Sequence, residues 1–307
     1  MHLSQTALLL AATAAQTALC ASTTKKRGLV YTPSEKHPQD DQIWDTSSSD
    51  LTWYYNYGDT PSPAYAKASK LQFVPMLWGA PTDTSDMTFH DSIVSQINSG
   101  AKFPYVLSYN EPDGQGNGGS NVPADLAAET WIRELEPLRK YNVSLGAPAV
   151  TGAPSGFTWL QNFFTACNGN CHADFIPVHW YGDYIGLASH IGQVQGTYHN
   201  MTIWVTEFAD PDQNLNDSQS FFNQSTKYFD SIDYITHYSY FGAFRSDASN
   251  VGPYSAMLTQ NGQLTDIGSW YLGHGSTGHR PKGAAASLSV SARWVFVILA
   301  AITWGLA

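Results

Sequence analysis

The chain has 307 residues, with 25 acidic and 15 basic side chains and a formal net charge of −10 at pH 7. Between Gly28 and Gly273 the imbalance sharpens to nine Lys and Arg against all 25 Asp and Glu. A body this acidic carries no electrostatic footprint for nucleic acid and repels anionic lipid, but it is compatible with a neutral polysaccharide or with a cationic partner.

Residues 1–20 read as a secretory signal peptide. Leu8 to Ala15 is an apolar run too short to cross a bilayer, and Ala18 and Cys20 are small residues ahead of a cut before Ala21. Lys25-Lys26-Arg27 follows, either a dibasic site that makes 21–27 a propeptide or a solvated basic tail. The body is then residues 28–273, one domain's worth for an α/β barrel.

Within it, strand-like runs fall at Arg27–Thr32, Leu51–Gly58, Phe73–Gly79, Tyr105–Pro112, Ser144–Val150, Ala173–Gly182, Thr202–Ala209 and Ile235–Phe244. Several are nearly continuous in apolar residues, as parallel strands buried on both faces should be. Helices are predicted over His90–Asn98, Pro123–Tyr141, Phe157–Cys167, Leu187–Tyr198 and Asp217–Ser231, with Gln263–Leu272 closing the chain. In the second of these, Leu126, Ala127, Trp131, Leu135 and Leu138 form a core-facing stripe, and Pro137 should kink the helix or end it early. Eight alternating strand–helix units predict a single-domain (β/α)8 TIM barrel. No Gly-x-Gly-x-x-Gly follows the first strand, and no phosphate loop or Gly-x-Ser-x-Gly elbow is present, which argues against nucleotide folds and serine hydrolases.

Cys167 and Cys171 remain once Cys20 leaves with the signal. In an oxidising compartment this pair, with turn-forming Asn-Gly-Asn between the sulfurs, predicts a disulfide. The sequons at Asn142, Asn200, Asn216 and Asn223 predict N-glycosylation of a secreted glycoprotein. Residues 274–293 read as a small, polar spacer and 294–307 as a short apolar tail. That is the pattern of a removable GPI-anchor signal, with Ser276 or Gly283 as candidate attachment residues; a short tail anchor is the alternative.

Of six glutamates, Glu111 and Glu207 alone end apolar strand runs, the fourth and the seventh, 96 residues apart. Glu129, Glu134 and Glu136 fall on the helix after the fourth strand and are expected to face water. Three βα units separate the two strand ends, so both carboxyl groups belong on the catalytic face, across the barrel mouth. Two facing carboxyl groups suit glycoside hydrolysis, one as proton donor and the other as nucleophile or as base for water. Trp78, Trp180, Tyr181 and Tyr240 lie near strand ends and offer platforms for sugar rings, with His179 as an orienting group; Trp53, Trp131, Trp159 and Trp204 are assigned to packing. His179 has no partner at metal-ligand spacing, so no metal is expected.

Asn110-Glu111-Pro112 and Glu207 resemble the acid/base and nucleophile motifs of the large clan of retaining (β/α)8 glycosidases. More narrowly, Arg27-Gly-Leu-Val-Tyr, Trp53-Tyr-Tyr-Asn56-Tyr, Phe73-Val-Pro-Met-Leu-Trp78-Gly, Asn110-Glu-Pro-Asp113 and Trp204-Val-Thr-Glu207-Phe resemble glycoside hydrolase family 128. These are β-1,3-glucanases and related fungal cell-wall proteins of the alkali-sensitive-linkage type. The resemblance implies a retaining endo-β-1,3-glucanase with Glu111 as acid/base and Glu207 as nucleophile. Asn110 would bind the sugar 2-hydroxyl, His179 and Tyr181 would orient the site, and Asn56, Trp78, Trp180 and Tyr240 would line the substrate cleft. It implies no metal, no organic cofactor, and β-1,3-glucan or a related polysaccharide as partner. The C-terminal tail departs from plain secreted members of that family; read as a GPI signal, it tethers a secreted protein, expected to be a monomer, at the cell wall. A non-catalytic or transglycosylating wall protein on the same fold is the alternative.

Overall fold

The computed structural model describes residues 25–66, 70–116, 118–211 and 213–283. The expected signal peptide and apolar tail lie outside these residues. All eight strands form at the predicted runs, all but β7 shorter than the run and β3 starting one residue before it: β1 Arg27–Val30, β2 Trp53–Tyr55, β3 Gln72–Phe73, β4 Tyr105–Val106, β5 Ser144–Leu145, β6 Phe175–Tyr181, β7 Thr202–Ala209 and β8 Ile235–Tyr240. Every pairing between them is parallel. Six strands run in the order β3-β2-β1-β8-β7-β6, and β4 pairs with β5. Parallel bridges Met76↔Leu107 and Gly146↔Phe175 join these two sheets, so each strand has a neighbour on both sides and the ring closes. The fold is α/β, with the connectivity of an eight-stranded barrel.

Among the described residues, six α-helices accompany the strands: α1 Thr88–Asn98, α2 Ala124–Thr130, α3 Pro154–Cys167, α4 Tyr184–Thr197, α5 Leu215–Ser231 and α6 Asp266–Tyr271. The first two strand connections hold no α-helix among the described residues, only a 3-10 segment over Pro38–Ile43. The expected Pro123–Tyr141 helix is α only as far as Thr130. It then widens into a π turn, Trp131–Leu135, and tightens into a 3-10 turn, Glu136–Tyr141. Pro137 has no N–H to give and its ring crowds the preceding turn, so the ladder changes register ahead of it. The apolar stripe survives: Ala127, Trp131, Leu135 and Leu138 are buried.

Glu134 departs from expectation. It is buried, and Oε2 accepts the Phe89 and His90 N–H groups at the start of α1 at 3.0 and 3.4 Å, while Oε1 pairs with Arg133 at 3.2 Å. The carboxylate thus serves two free donors of a helix N-terminus, which explains its burial.

Packing is in two layers. Val30, Trp53, Tyr55, Val74, Met76, Leu107, Phe175 and Trp204 fill the barrel interior, and the larger cluster lies between sheet and helices. Gly28 lets Trp53 approach the β1 backbone, since a Cβ there would sit 2.1 Å from the indole. The interior face of the barrel floor is aromatic, with the His237 ring stacked 3.6 Å from that of Trp204.

Ordered contacts extend a few residues beyond both ends of 28–273. Lys26 Nζ donates to the Phe229 and Ile232 carbonyls, both at 2.9 Å. Arg27 donates to Tyr238, Asp50 and the carbonyls of Trp270 and Tyr271, tying β1 to β8 and α6. Both residues are structural anchors, and a cut after Arg27 would remove them from the fold. The first part of the expected spacer is likewise pinned. The Thr277 N–H donates to Asp266 at 2.7 Å and Trp270 Nε1 to Ser276 Oγ at 3.0 Å. Cys167 and Cys171 form the expected disulfide, with Cα atoms 5.5 Å apart. The four sequon asparagines are all solvent-exposed.

Candidate active site

The strand ends hand the site residues to one another. The Asn110 N–H donates to the Trp78 carbonyl at 2.9 Å, and the Glu111 N–H to the Ala149 carbonyl at 2.7 Å, so β3, β4 and β5 are tied at the mouth. Glu111 sits at φ +41°, a left-handed conformation that a non-glycine residue adopts only when its surroundings hold it. Asp113 supplies part of that hold: Oδ1 accepts the Thr151 N–H at 2.9 Å and Oδ2 the Thr151 hydroxyl at 2.6 Å. Gly119 supplies another, because a Cβ there would lie 2.9 Å from the Glu111 carbonyl oxygen.

On the other side of the mouth, β6 and β7 pair in register until Val178↔Val205, and the next pair is His179↔Glu207. Thr206 is the extra residue of a β-bulge, which turns Glu207 to the same side as Trp204, three residues earlier. Glu111, His179 and Glu207 then converge, with one carboxylate or imidazole atom from each within 4.8 Å of the others. His179 Nδ1 is 3.1 Å from Glu111 Oε1 and 3.5 Å from Glu207 Oε2. Burial disfavours the His179 imidazolium, but the charges of Glu207 and Glu111 outweigh it and raise the His179 pKa above its ordinary value.

Glu207 is buried and heavily held. Tyr181 donates to Oε2 at 2.5 Å; Tyr57 and Tyr55 donate to Oε1 at 2.7 and 3.2 Å. Burial, and after it the Glu207 charge, push all three phenols well above their ordinary pKa, so they keep their protons and act as donors. Tyr57 reaches the carboxylate from a second left-handed position, φ +62°. Glu111 is freer, with 17% of its side chain exposed against 6% for Glu207. Asn110 Nδ2 is taken by the Gly118 carbonyl, but its buried Oδ1 has no partner among the described residues; the same is true of His179 Nε2.

The cleft over these groups has a volume of about 500 Å³, lined by Trp78, Asn110, Glu111, Tyr181, Glu207 and the missed residues Tyr57, Thr32, Phe241, Asn250 and Val251, among others. Trp78 is 40% exposed at its edge, as expected of a platform. Three expected cleft residues lie elsewhere. Asn56 holds its own turn, accepting the Gly58 N–H and donating to the Thr60 carbonyl. Trp180 packs at a tilt against His190, 5.3 Å between ring centroids, and donates to the Asp183 carbonyl on the helix side of the sheet. Tyr240 is fully buried between sheet and helices, against Phe208, Phe222 and Tyr271. Strand alternation explains all three, since each is offset by one residue from an inward-facing neighbour.

A family model described as the glycosyl hydrolase catalytic core matches residues 28–271. The chain is 28% identical over 260 residues to the alkali-sensitive linkage protein 1 of Schizosaccharomyces pombe, covering 82% of this chain but 45% of that protein, so it spans about half the length of that curated relative. Among solved structures, a GH128 endo-β-1,3-glucanase from Lentinula edodes aligns at 25% identity and a TM-score of 0.67, over 80% of this chain and 98% of that one. A GH128 oligosaccharide-binding protein from Cryptococcus neoformans aligns at 25% identity and a TM-score of 0.62, over 82% and 94%. The chain belongs to the glycosyl hydrolase catalytic core family, in the GH128 group that its strand-end motifs resemble.

Proposed function

We propose that the chain is a retaining endo-β-1,3-glucanase in which Glu111 is the acid/base and Glu207 the nucleophile. The observation that carries the reading is the approach of the two carboxyl groups, with oxygen atoms within 4.8 Å. Carboxyl groups about 5–5.5 Å apart leave no room for a water between base and sugar and suit direct attack. The roles divide by environment. Three phenol donors fix Glu207 for attack on the anomeric carbon, and the more exposed Glu111 is placed to protonate the departing glycosidic oxygen. A glycosyl ester on Glu207 would form, and Glu111 would then take a proton from the water that hydrolyses it. His179, between the two, holds their relative orientation, and Asn110 Oδ1 is free to accept a sugar hydroxyl. Secretion, N-glycosylation at the four exposed sequons and a lipid anchor at the cell wall belong to this reading, since a surface glucanase would meet its polymer there.

The test is release of reducing ends from soluble β-1,3-glucan by the full chain and by Glu111→Gln and Glu207→Gln. The account expects each variant to lose about 10²–10⁴-fold in rate, with Glu111→Gln keeping its first step on a glucoside whose leaving group needs no proton. A second reading, carbohydrate binding without turnover, draws on the likeness to the oligosaccharide-binding GH128 protein. Binding of β-1,3-glucan with no reducing ends released by the wild type would favour it.

A further inference from the structure

Away from the cleft, α3 and α4 leave an open groove of about 650 Å³ on the outer wall of the barrel. Three aromatic side chains, Phe157, Phe164 and Tyr198, stand half-buried along it. Between them Gln161, Gln193 and Thr158 are exposed, and none of these three side chains makes a hydrogen bond among the described residues. On α3 the spacing 157, 161, 164 is that of one helix face, so rings and amide alternate along a continuous strip. No charged side chain lines the groove, in a body carrying 25 carboxylates. A groove for a nucleotide would need cationic side chains for its phosphates, and none lines this one. Half-buried aromatic rings interleaved with free amide and hydroxyl groups match a chain of uncharged sugars, whose C–H faces pack on aromatic side chains while their hydroxyls pair with amides.

We propose that this groove is a second glucan-binding site, which holds a strand of β-1,3-glucan on the barrel wall while the cleft acts on another part of the polymer. The choice of β-1,3-glucan as occupant rests on the reading of the cleft; the neutral, aromatic lining is independent of it. Two such sites on one domain raise the time spent on an insoluble polymer without adding to the chemistry on a short one.

The experiment uses the full chain as wild type, Gln161→Lys and Tyr198→Ala. Gln161→Lys puts a long cation into the groove at an exposed position where folding is little affected, and Tyr198→Ala removes a platform. Sedimentation with insoluble β-1,3-glucan particles measures retention, and a short soluble β-1,3-gluco-oligosaccharide measures turnover in the cleft. Both variants are expected to bind particles about tenfold more weakly, with kcat/KM on the oligosaccharide unchanged. Wild-type retention in both variants overturns the proposal, as does a parallel loss of oligosaccharide turnover, which would place the effect in the fold. Retention that appears only after Asn200→Gln also overturns it, because the chain's own glycan would then be the occupant. A wild type that binds particles through the groove but releases no reducing ends leaves this site standing and removes the hydrolase reading.

Discussion

Acid should loosen the barrel floor through one residue, His237. Its ring lies 3.6 Å from Trp204, with Tyr105 at 5.5 Å and Trp53 at 5.6 Å, and Nδ1 meets the Thr236 hydroxyl at 3.0 Å. Burial, with a smaller contribution from the Lys26 charge, lowers its pKa from an ordinary 6.5 to about 4. The unfolded chain therefore takes up a proton that the folded one refuses. This contribution is fully present above pH 6.5 and is lost as the pH falls towards 4. At 1.36 kcal/mol per pH unit, about 3 kcal/mol disappears over that window, on the order of 1 M in urea midpoint. Trp204 lies three residues before Glu207 on the same strand, so the floor and the nucleophile share a support. The assay is urea unfolding at pH 7 and pH 4 for the wild type and for His237→Phe, which keeps an aromatic ring in the stack and removes the titration. The variant should lose about 3 kcal/mol less than the wild type on acidification. Equal losses in the two proteins would refute the assignment to His237.

Two substitutions test the supports of the site. Tyr181→Phe removes the shortest hydrogen bond to Glu207 from a side chain 36% exposed. A hydrogen bond to a charged group contributes about 1.5–3 kcal/mol, so kcat/KM should fall roughly 10- to 150-fold with little change in Tm; a fall of less than twofold would mean that the phenol does not position the carboxylate. Gly28→Ala places a Cβ 2.1 Å from the Trp53 indole, which is also pinned by its Nε1 bond to the Lys26 carbonyl. Overpacking of this kind costs about 3 kcal/mol, or roughly 6–12 °C in Tm for a domain of this size, and an unchanged melt would show that β1 yields easily.

The strand positions were legible because each carries an apolar, β-prone run bounded by loop residues, and the scarcity of glutamate made Glu111 and Glu207 stand out. Which face of a strand turns inward was harder to read. In Trp53-Tyr-Tyr-Asn56-Tyr57, composition alone points Trp53 to packing and Asn56 to the cleft, yet alternation sends Tyr55 and Tyr57 inward with Trp53. Those two phenols are the donors that sequence reasoning missed, and a consistent period of two from Trp53 would have found them. The same parity separates Trp180 from His179 and Tyr181. At β7 a simple period of two fails, because the bulge at Thr206 resets it between Trp204 and Glu207. Bulges depend on pairing with both neighbours and leave no mark in a single sequence. The left-handed backbone of Glu111 was equally hidden, since its cause lies in contacts with Thr151 and Gly119, distant in the chain or across a loop.

The central claim is that Glu207 attacks the sugar directly while Glu111 moves the proton. Proton NMR of the anomeric region, recorded in the first minutes of β-1,3-glucan hydrolysis before mutarotation, reads this most directly. The account predicts that the newly formed reducing end appears first as the β anomer. Initial appearance of the α anomer would contradict it, and would require a water between the carboxylates and the sugar.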